Sequence, residues 1–195
     1  MALLSPTTRV NYLRMLAFRG SEATMVRNFQ RGFNFGTPLV VDGRYGPATE
    51  AALKMSYGNL RAGRTTASTH FSFSEFRCKC YGRYSTCQGV WVARAHLQRL
   101  EAYRTKIGSV RIVSGCRCYS HNSAVGGATS SQHLFGVASD IAPMVSLNTM
   151  RGYRLFAGIG YSGSSGRVLH VDSRDIGGHN STGGRPTAPT TWRYV

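Results

Sequence analysis

Two histidines and one aspartate are the residues whose types and spacing could do chemistry in this chain. His133 and Asp140 lie in the run 131–140, and His170 follows about thirty residues later. Two imidazoles and one carboxylate are the ligand count of a catalytic zinc that keeps a fourth position open for water. An ionised Asp140 entering the short apolar strand predicted over 138–142 is costly to bury unless a cation or hydrogen-bond donors satisfy it. We therefore predict one Zn²⁺ ion bound by His133, Asp140 and His170. The other histidines are predicted to be packed or solvated side chains: His70, His96, His121 and His179.

The run 131–140 also resembles a family signature. It resembles the Ser-x-His-x-x-Gly-x-Ala-x-Asp pattern of the zinc D-alanyl-D-alanine carboxypeptidase family, which includes many bacteriophage endolysins. The matching positions are Ser131, His133, Gly136, Ala138 and Asp140. The resemblance implies a zinc metallopeptidase that hydrolyses peptide bonds of bacterial peptidoglycan. We expect Ser131 to hydrogen-bond the substrate or to brace the ligand loop.

An arginine upstream is a candidate for substrate binding. The segment Val113 to Asn122 resembles the family's Ser-Gly-Tyr-Arg segment, with Cys116 in place of the usual tyrosine. In the family this arginine holds a substrate carboxylate near the metal, so the resemblance implies that role for Arg117. A guanidinium suits the role because it is always charged and can donate two parallel hydrogen bonds to a carboxylate. The alternative is a surface arginine in a very basic protein.

The general base is the part of the family pattern that this chain lacks. Family members carry a glutamate three residues before the second ligand histidine or a histidine two before it, where this chain has Arg167 and Val168. The segment from Ile159 to Asp172 is predicted to form two strands joined by a turn, and strand alternation places His170 and Asp172 on the same face. Asp172 is therefore the predicted catalytic base. The competing interpretation makes Asp172 an acceptor that orients a histidine ring, and both remain open.

Five cysteines fall in two groups: Cys78, Cys80, Cys87, Cys116 and Cys118. An odd count means that at least one is free or pairs between chains. One hypothesis is a disulfide from Cys78 or Cys80 to Cys118, which would brace the arginine loop. Its rival is a structural zinc held by the two Cys-x-Cys pairs. Synthesis in a reducing cytosol argues against obligatory disulfides, but the sequence leaves both hypotheses open.

The first 62 residues predict a small all-α three-helix domain. Ser21 can cap a helix that carries apolar side chains at four-residue spacing, and Pro47 suits the first turn of another helix that stops near Gly58. The stretch from Leu39 to Leu53 resembles the Val-Asp-Gly-x-x-Gly-x-x-Thr-x-x-Ala loop and helix of the peptidoglycan-binding three-helix domain. The pair Phe29-Gln30 matches the end of that family's preceding helix. The resemblance implies that residues 1–62 bind peptidoglycan.

The rest of the chain predicts an α+β catalytic domain, in which helices lie beside a small antiparallel sheet that carries the zinc site. Residues 63–69 lack large apolar side chains and are predicted to be a linker. Residues 70–176 are predicted to form the catalytic domain. Residues 177–195 are predicted to form a tail that is extended or wraps on the surface. The predicted elements of this domain are a helix from Val90 to Ile107 that ends at Gly108, strands over 110–113 and 138–142, and a helix from Ser146 to Phe156.

Composition restricts the partners. The net charge of +16, from 24 Lys and Arg against 8 Asp and Glu, implies a polyanionic partner. The arginines are spread along the chain, without a basic-aromatic RNA-binding signature or a helix-turn-helix, which favours peptidoglycan and anionic wall polymers over nucleic acid. No apolar run approaches the roughly 18 residues of a membrane span, and no export signal is evident. We expect a monomeric phage protein, made in the host cytoplasm and acting at the cell wall after release. The alternatives are a non-catalytic wall-binding zinc module and a basic nucleic-acid-binding protein.

Overall fold

The computed structural model describes residues 2–15, 18, 20–33, 38–61, 67–84, 87, 92–176 and 183–194; for residues 15, 32 and 55–61 it describes the backbone alone. Within these ranges the chain forms helices in its first third and a mixed α/β arrangement in the remainder. No helix in the described ranges is long and apolar enough to cross a membrane.

Three helices precede the sheet, as predicted: α1 (Pro6–Met15), α2 (Glu22–Gly32) and α3 (Pro47–Arg61). The side chain of Ser21 caps α2 by accepting a hydrogen bond from the backbone N–H of Thr24, which satisfies one of the unpaired N–H groups of the first turn. Met25 and Phe29 are buried, as their spacing predicts. Helix α3 runs past Gly58 and ends later than predicted.

A buried glutamine holds the loop between α2 and α3. The side-chain oxygen of Gln30 accepts a hydrogen bond of 2.8 Å from the backbone of Gly43, and its amide nitrogen donates to Asp42 Oδ1 at 2.8 Å and to Thr49 Oγ1 at 3.1 Å. Gly43 has φ +76°, a conformation that glycine adopts without strain. These contacts give the Gln, Asp-Gly and Thr positions of the motif a structural role. Peptidoglycan binding by this region stays a prediction.

The helical region and the sheet share one apolar core. Helix α2 packs against α4 (Arg94–Ile107), and Phe29 and Leu53 belong to the same buried cluster as Phe76 and Leu100. Burial of these side chains stabilises the fold by roughly 25 cal/mol per Å² of apolar surface removed from water. The predicted boundary at residue 62 lies outside the described residues, so the division into two domains stays a prediction.

Five strands form one sheet: β1 (Arg111–Ser114), β2 (Ala138–Ala142), β3 (Gly158–Ser162), β4 (Val168–Asp172) and β5 (Thr190–Tyr194). Their order is β1-β2-β4-β3-β5, and neighbours are antiparallel except for the parallel pair β3–β5. One face packs on α4 through buried apolar side chains that include Ile141, Ile159 and Val171. The domain is α+β, as predicted, and the opposite face carries the candidate site.

The predicted tail is corrected in part, because residues 190–194 are an integral strand of the sheet. Strand β5 pairs with β3 along its whole length, so the sheet is mixed and not purely antiparallel. The reason lies in the composition of Thr190–Tyr194, since threonine and aromatic residues fit a pleated, half-buried surface. Residues 177–182 of the tail lie outside the described residues.

Two helix boundaries also differ from the prediction. Helix α4 begins at Arg94, whereas Val90, its predicted start, lies outside the described residues; it ends at Gly108, with φ +84°, as predicted. After the short helix α5 (Tyr119–Ala124), helix α6 (Leu147–Tyr153) is capped by Ser146 but stops short of its predicted end at Phe156, because Arg154 adopts a left-handed conformation with φ +53°. Phe156 is instead buried in the core.

His96 on α4 is a packed side chain, which agrees with the prediction that the histidines outside the metal site are packed or solvated. It is fully buried, with Nδ1 2.9 Å from Ser173 Oγ and Nε2 3.0 Å from Ser139 Oγ. Burial is the main cause that lowers the pKa of His96 to about 3, although nearby Asp172 opposes it. Two hydroxyl groups therefore hold a neutral ring between α4 and the sheet.

We expect this histidine to make stability fall with acidity. Between about pH 6.5 and about pH 3 the unfolded chain takes up a proton at His96 that the folded chain does not, so the free energy of unfolding declines as the pH falls, by up to about 1.4 kcal/mol per pH unit. In His96→Gln the part of this decline that comes from protonation of His96 should vanish. Urea unfolding of both proteins across the window measures it, because all other titrating groups are common to the pair. Identical pH slopes would contradict the assignment.

Candidate metal centre

One row of residues crosses the sheet on the face opposite α4. Strand register pairs Ser114 with Asp140, Asp140 with His170, His170 with Gly160, and Gly160 with Trp192. Residues directly opposite each other on neighbouring strands project from the same face. The register therefore places Asp140 and His170 side by side, although about thirty residues separate them in the chain.

His133 reaches the row from outside the sheet. It lies on a short 3₁₀ helix, Gln132–Phe135, which ends at Gly136 in a left-handed conformation with φ +66°. The turn at Gly136 leads the chain directly towards β2, as the sequence pattern predicts. The backbone oxygen of His133 also accepts a hydrogen bond of 3.1 Å from the backbone of Arg117. This hydrogen bond connects the 3₁₀ helix that carries His133 to the loop that carries Arg117.

The three predicted ligand atoms converge. His133 Nε2 lies 3.1 Å from His170 Nδ1 and 3.3 Å from Asp140 Oδ1, and His170 Nδ1 lies 3.0 Å from the same oxygen. Ligands about 2.0–2.1 Å from a tetrahedral zinc lie about 3.3 Å from one another. The spacing of this donor set therefore fits a single small ion, and these three residues form a possible metal site, called here the His/Asp site.

Each histidine has its outer ring nitrogen next to an acceptor. His133 Nδ1 lies 2.6 Å from the carbonyl oxygen of Gly115, and His170 Nε2 lies 3.3 Å from Asp172 Oδ2. A proton held on each outer nitrogen leaves the lone pairs of His133 Nε2 and His170 Nδ1 directed at the site. The tautomers needed for metal binding are therefore set by the surrounding protein.

Asp172 is a fully buried carboxylate that is paired with an arginine. Arg174 donates from Nε to Asp172 Oδ1 at 2.9 Å and from Nη2 to Oδ2 at 2.7 Å. Burial alone would raise the pKa of Asp172, but hydrogen bonds from Arg174 and His170 hold it below its ordinary value. Gly158 lies opposite, where any side chain would collide with this carboxylate. Asp172 contacts the outer nitrogen of His170, which favours the orienting role over that of a base.

Arg117 contacts the third predicted ligand. Its Nη2 donates to Asp140 Oδ2 at 2.7 Å, and its Nε donates to Ser114 Oγ at 3.2 Å. Burial would raise the pKa of Asp140, yet hydrogen bonds with His133 and His170 keep it well below its ordinary value. Asp140 is thus an anion that directs one oxygen to the histidines and the other to Arg117.

A cavity of about 650 Å³ opens above the His/Asp site. Arg117 and Ser131, the two residues predicted to contact substrate, line it. Asp140 and Asp172 are the carboxylates among the described residues that line this cavity. Arg167, which occupies the position of the family's glutamate, instead donates a hydrogen bond of 3.0 Å to the backbone of Met144. The usual base therefore has no substitute at its own position.

Sequence reasoning missed the wall of the cavity that β5 supplies. The ring of Trp192 lies 5.1 Å from that of His170, and the guanidinium of Arg174 lies 4.9 Å from the Trp192 ring centre. Gly160 makes the approach possible, because a side chain there would collide with Trp192 and Tyr194. The β-favouring composition of 190–194 was the signal that could have located these residues.

The cysteine hypotheses are both changed by the structure. Cys78, Cys80, Cys87 and Cys118 come together, so Cys87 takes the place that the two Cys-x-Cys pairs had given to Cys116. All four are thiols, and the sulfurs of Cys80 and Cys118 lie 3.9 Å apart, so the disulfide hypothesis is wrong for this structure. Turns closed by backbone hydrogen bonds from Arg83 to Cys80 and from Cys87 to Tyr84 lie between Cys80 and the cluster position of Cys87. The sulfur separation is far longer than the roughly 2.05 Å of an S–S bond.

Comparisons with known proteins find similarity over the part of the chain that carries this site. Residues 69–172 match the model of the family described as peptidase M15. A zinc D-Ala-D-Ala carboxypeptidase from Streptomyces albus G is 30% identical over 150 residues, which cover 63% of this chain and 59% of that protein. The chain thus spans less than two thirds of the length of this relative. The range matched by the family model, 69–172, contains every residue of the His/Asp site.

Proposed function

This chain belongs to the peptidase M15 family, and we propose from that premise that it is a zinc-dependent metallopeptidase that hydrolyses peptide bonds of bacterial peptidoglycan. The observation that carries the proposal is the convergence of His133, Asp140 and His170 with both outer ring nitrogens held by acceptors. Such support is what metal-binding histidines require. The relative named as a zinc D-Ala-D-Ala carboxypeptidase supports the choice of metal and of substrate class.

The chemistry that zinc supplies when bound is Lewis-acid activation of a water molecule and of the scissile carbonyl. The residues of the chain provide the binding and orientation. We propose that Arg117, which lines the cavity, binds a carboxylate of the stem peptide through the N–H groups that Ser114 and Asp140 do not use, because a guanidinium can grip a carboxylate with two hydrogen bonds. Ser131 lines the same cavity and is suited to hydrogen-bond the peptide.

Asp172 is proposed to be a positioning residue. Its carboxylate accepts from His170 Nε2 and is itself held by Arg174, so it fixes both the tautomer and the angle of the His170 ring. The role of catalytic base, which the sequence also allows, requires this carboxylate to reach the reacting water. Although Asp172 contributes to the cavity lining, its side chain is inaccessible to solvent and both of its oxygens accept hydrogen bonds from Arg174, which weighs against that role.

The helical region and the charge of the chain support action at a bacterial cell wall. A net charge of +16 attracts wall carboxylates and anionic wall polymers, and it raises the local concentration of a polyanionic substrate. The resemblance of residues 1–62 to a peptidoglycan-binding domain has the same implication. We propose that the protein is a monomeric phage endolysin that lyses the host from within.

Incubation of the purified protein with bacterial cell walls tests this function. We expect new amino termini or released D-alanine, and we expect both to disappear with a chelator and to return with zinc. Mass spectrometry of the soluble fragments identifies the bond. Cell walls that remain chemically unchanged at full zinc occupancy would contradict the proposal.

A second candidate, a non-catalytic wall-binding zinc module, has one observation in its favour. Of the two carboxylates of the described cavity lining, Asp140 belongs to the His/Asp site and Asp172 is paired with Arg174. In the cell-wall assay such a module would sediment with the walls and cut nothing. An interaction with nucleic acid in place of walls would instead identify a basic nucleic-acid-binding protein.

Replacement of Arg117 by lysine should mainly weaken substrate binding. A lysine keeps the positive charge but cannot donate two parallel hydrogen bonds, so we expect KM to rise by about tenfold or more with a smaller change in kcat. Steady-state kinetics on a soluble muropeptide measures both constants. Arg99→Lys is the matched control, because Arg99 forms a two-hydrogen-bond pair with Asp175 away from the cavity. A fall in kcat at unchanged KM would refute the substrate-binding role of Arg117.

A further inference from the structure

A second group of metal-ligand side chains lies outside the His/Asp site. It consists of Cys78, Cys80, Cys87 and Cys118, called here the thiol cluster. Three of these side chains are buried and Cys87 is partly buried. The proposed peptidase activity makes no use of them.

The spacing of the sulfurs matches that of a tetrahedral metal site. Cys78 Sγ lies 3.6 Å from Cys80 Sγ, which lies 3.9 Å from Cys118 Sγ, and all four sulfurs lie within 4.8 Å of one another. Four sulfurs about 2.3 Å from a zinc ion are about 3.8 Å apart. An S–S bond is far shorter, at about 2.05 Å. The cluster therefore has the dimensions of a metal–thiolate centre and not those of disulfides.

Backbone hydrogen bonds to sulfur point the same way. The backbone N–H of Cys118 donates to Cys78 Sγ at 3.3 Å, and that of His121 donates to Cys118 Sγ at 3.4 Å. Such donors favour the thiolate form, which is the form that binds metals. The segment also carries Arg77, Lys79 and Arg83, whose charges offset the two net negative charges of a zinc ion with four thiolates.

The described part of the segment around the cluster is held by turns and by few apolar contacts. Among the described residues from Cys78 to Cys87 there are turns but no helix or strand. Its buried side chains form a small cluster of their own, in which Tyr84 packs against the cysteines, separate from the main apolar core. A metal ion would supply the cross-link between this segment and Cys118 that apolar burial does not.

We propose that the thiol cluster binds a structural zinc ion with four thiolate ligands. Zinc suits this site because a closed tetrahedral set of thiolates is its usual structural environment. Binding releases the thiol protons, and its free energy adds to that of folding. Cys118 follows Arg117 directly and caps helix α5 (Tyr119–Ala124), so the second ion would also fix the backbone that carries Arg117. The site is independent of the catalytic proposal.

The test measures zinc content and zinc ligands in the full chain, produced under reducing conditions with zinc present. We expect two zinc ions in the wild type, one in Cys87→Ser, one in His133→Ala and two in Cys116→Ser. Cys116 is the matched control, because it is a buried cysteine of the same loop that lies outside the cluster. X-ray absorption of His133→Ala should show sulfur ligands alone, at about 2.3 Å.

Several results would overturn this site. They are a single zinc in the wild type that disappears in His133→Ala, nitrogen or oxygen ligands around the ion retained by that variant, iron in place of zinc, or a disulfide detected by mass. The absorption spectrum of His133→Ala decides the question even where Cys87→Ser does not fold. Failure of the peptidase proposal has a different signature, namely two bound zinc ions without any cleavage of cell walls.

Discussion

The His133→Ala variant is expected to bind no metal at the His/Asp site and to leave peptidoglycan uncut. Loss of Nε2 leaves only Asp140 and His170 at a site that depends on three convergent ligands. Metal analysis and the cell-wall assay measure the two losses together. The variant should still sediment with cell walls, because wall affinity is proposed to come from the helical region and the positive charge.

His70→Ala is the matched control for this experiment. His70 is half-exposed and pairs with Glu101, and neither residue lines the cavity at the His/Asp site. Removal of His70 should therefore change neither metal content nor activity. Full lytic activity of His133→Ala at wild-type metal content would show that another set of residues carries the chemistry.

Asp172→Asn should separate the two roles that the sequence leaves open for this residue. The change is nearly isosteric, but it replaces a carboxylate that Arg174 and His170 both contact. If Asp172 orients His170, zinc affinity falls by about 10–100-fold and activity returns when zinc is added in excess. If Asp172 is the base, the rate stays lower by roughly 10²-fold or more even at saturating zinc.

We expect the first of these results, because Asp172 contacts the outer nitrogen of the ring. A zinc titration followed by both metal binding and muropeptide cleavage provides the measurement. Thr190→Ser serves as a control on the same wall of the cavity, since it retains the hydroxyl group and leaves the carboxylate in place. A rate deficit that zinc cannot repair would return Asp172 to the role of catalytic base.

The ligand set and the strand that carries it could be predicted because they depend on local patterns. The spacing of His133, Gly136 and Asp140 encodes a tight turn into a short strand, and β2 has the predicted bounds. Likewise the alternation of β4 places His170 and Asp172 on one face. Such features require only the residues in the segment itself.

Features that depend on distant parts of the chain could not be predicted in this way. The pairing of β5 with β3 brings Trp192 to His170, and nothing near Trp192 in the sequence indicates that partner. The position of Cys87 in the thiol cluster likewise depends on the turns that precede it and not on its own sequence neighbours. Similarly, Arg174 could be identified as a partner of Asp172 only after the burial of that carboxylate was known.

The row that crosses the sheet has a consequence for folding kinetics. Asp140 and His170 become neighbours only after β2 and β4 have paired in the correct register, since a slip of one residue would turn His170 to the opposite face. We infer that an ion at this site binds late in folding, because the native-like arrangement requires the non-local pairing of two strands that are distant in the chain. Contacts that form after the transition state slow unfolding and leave the folding rate nearly unchanged. Zinc should accordingly lengthen the lifetime of the folded chain without hastening its formation.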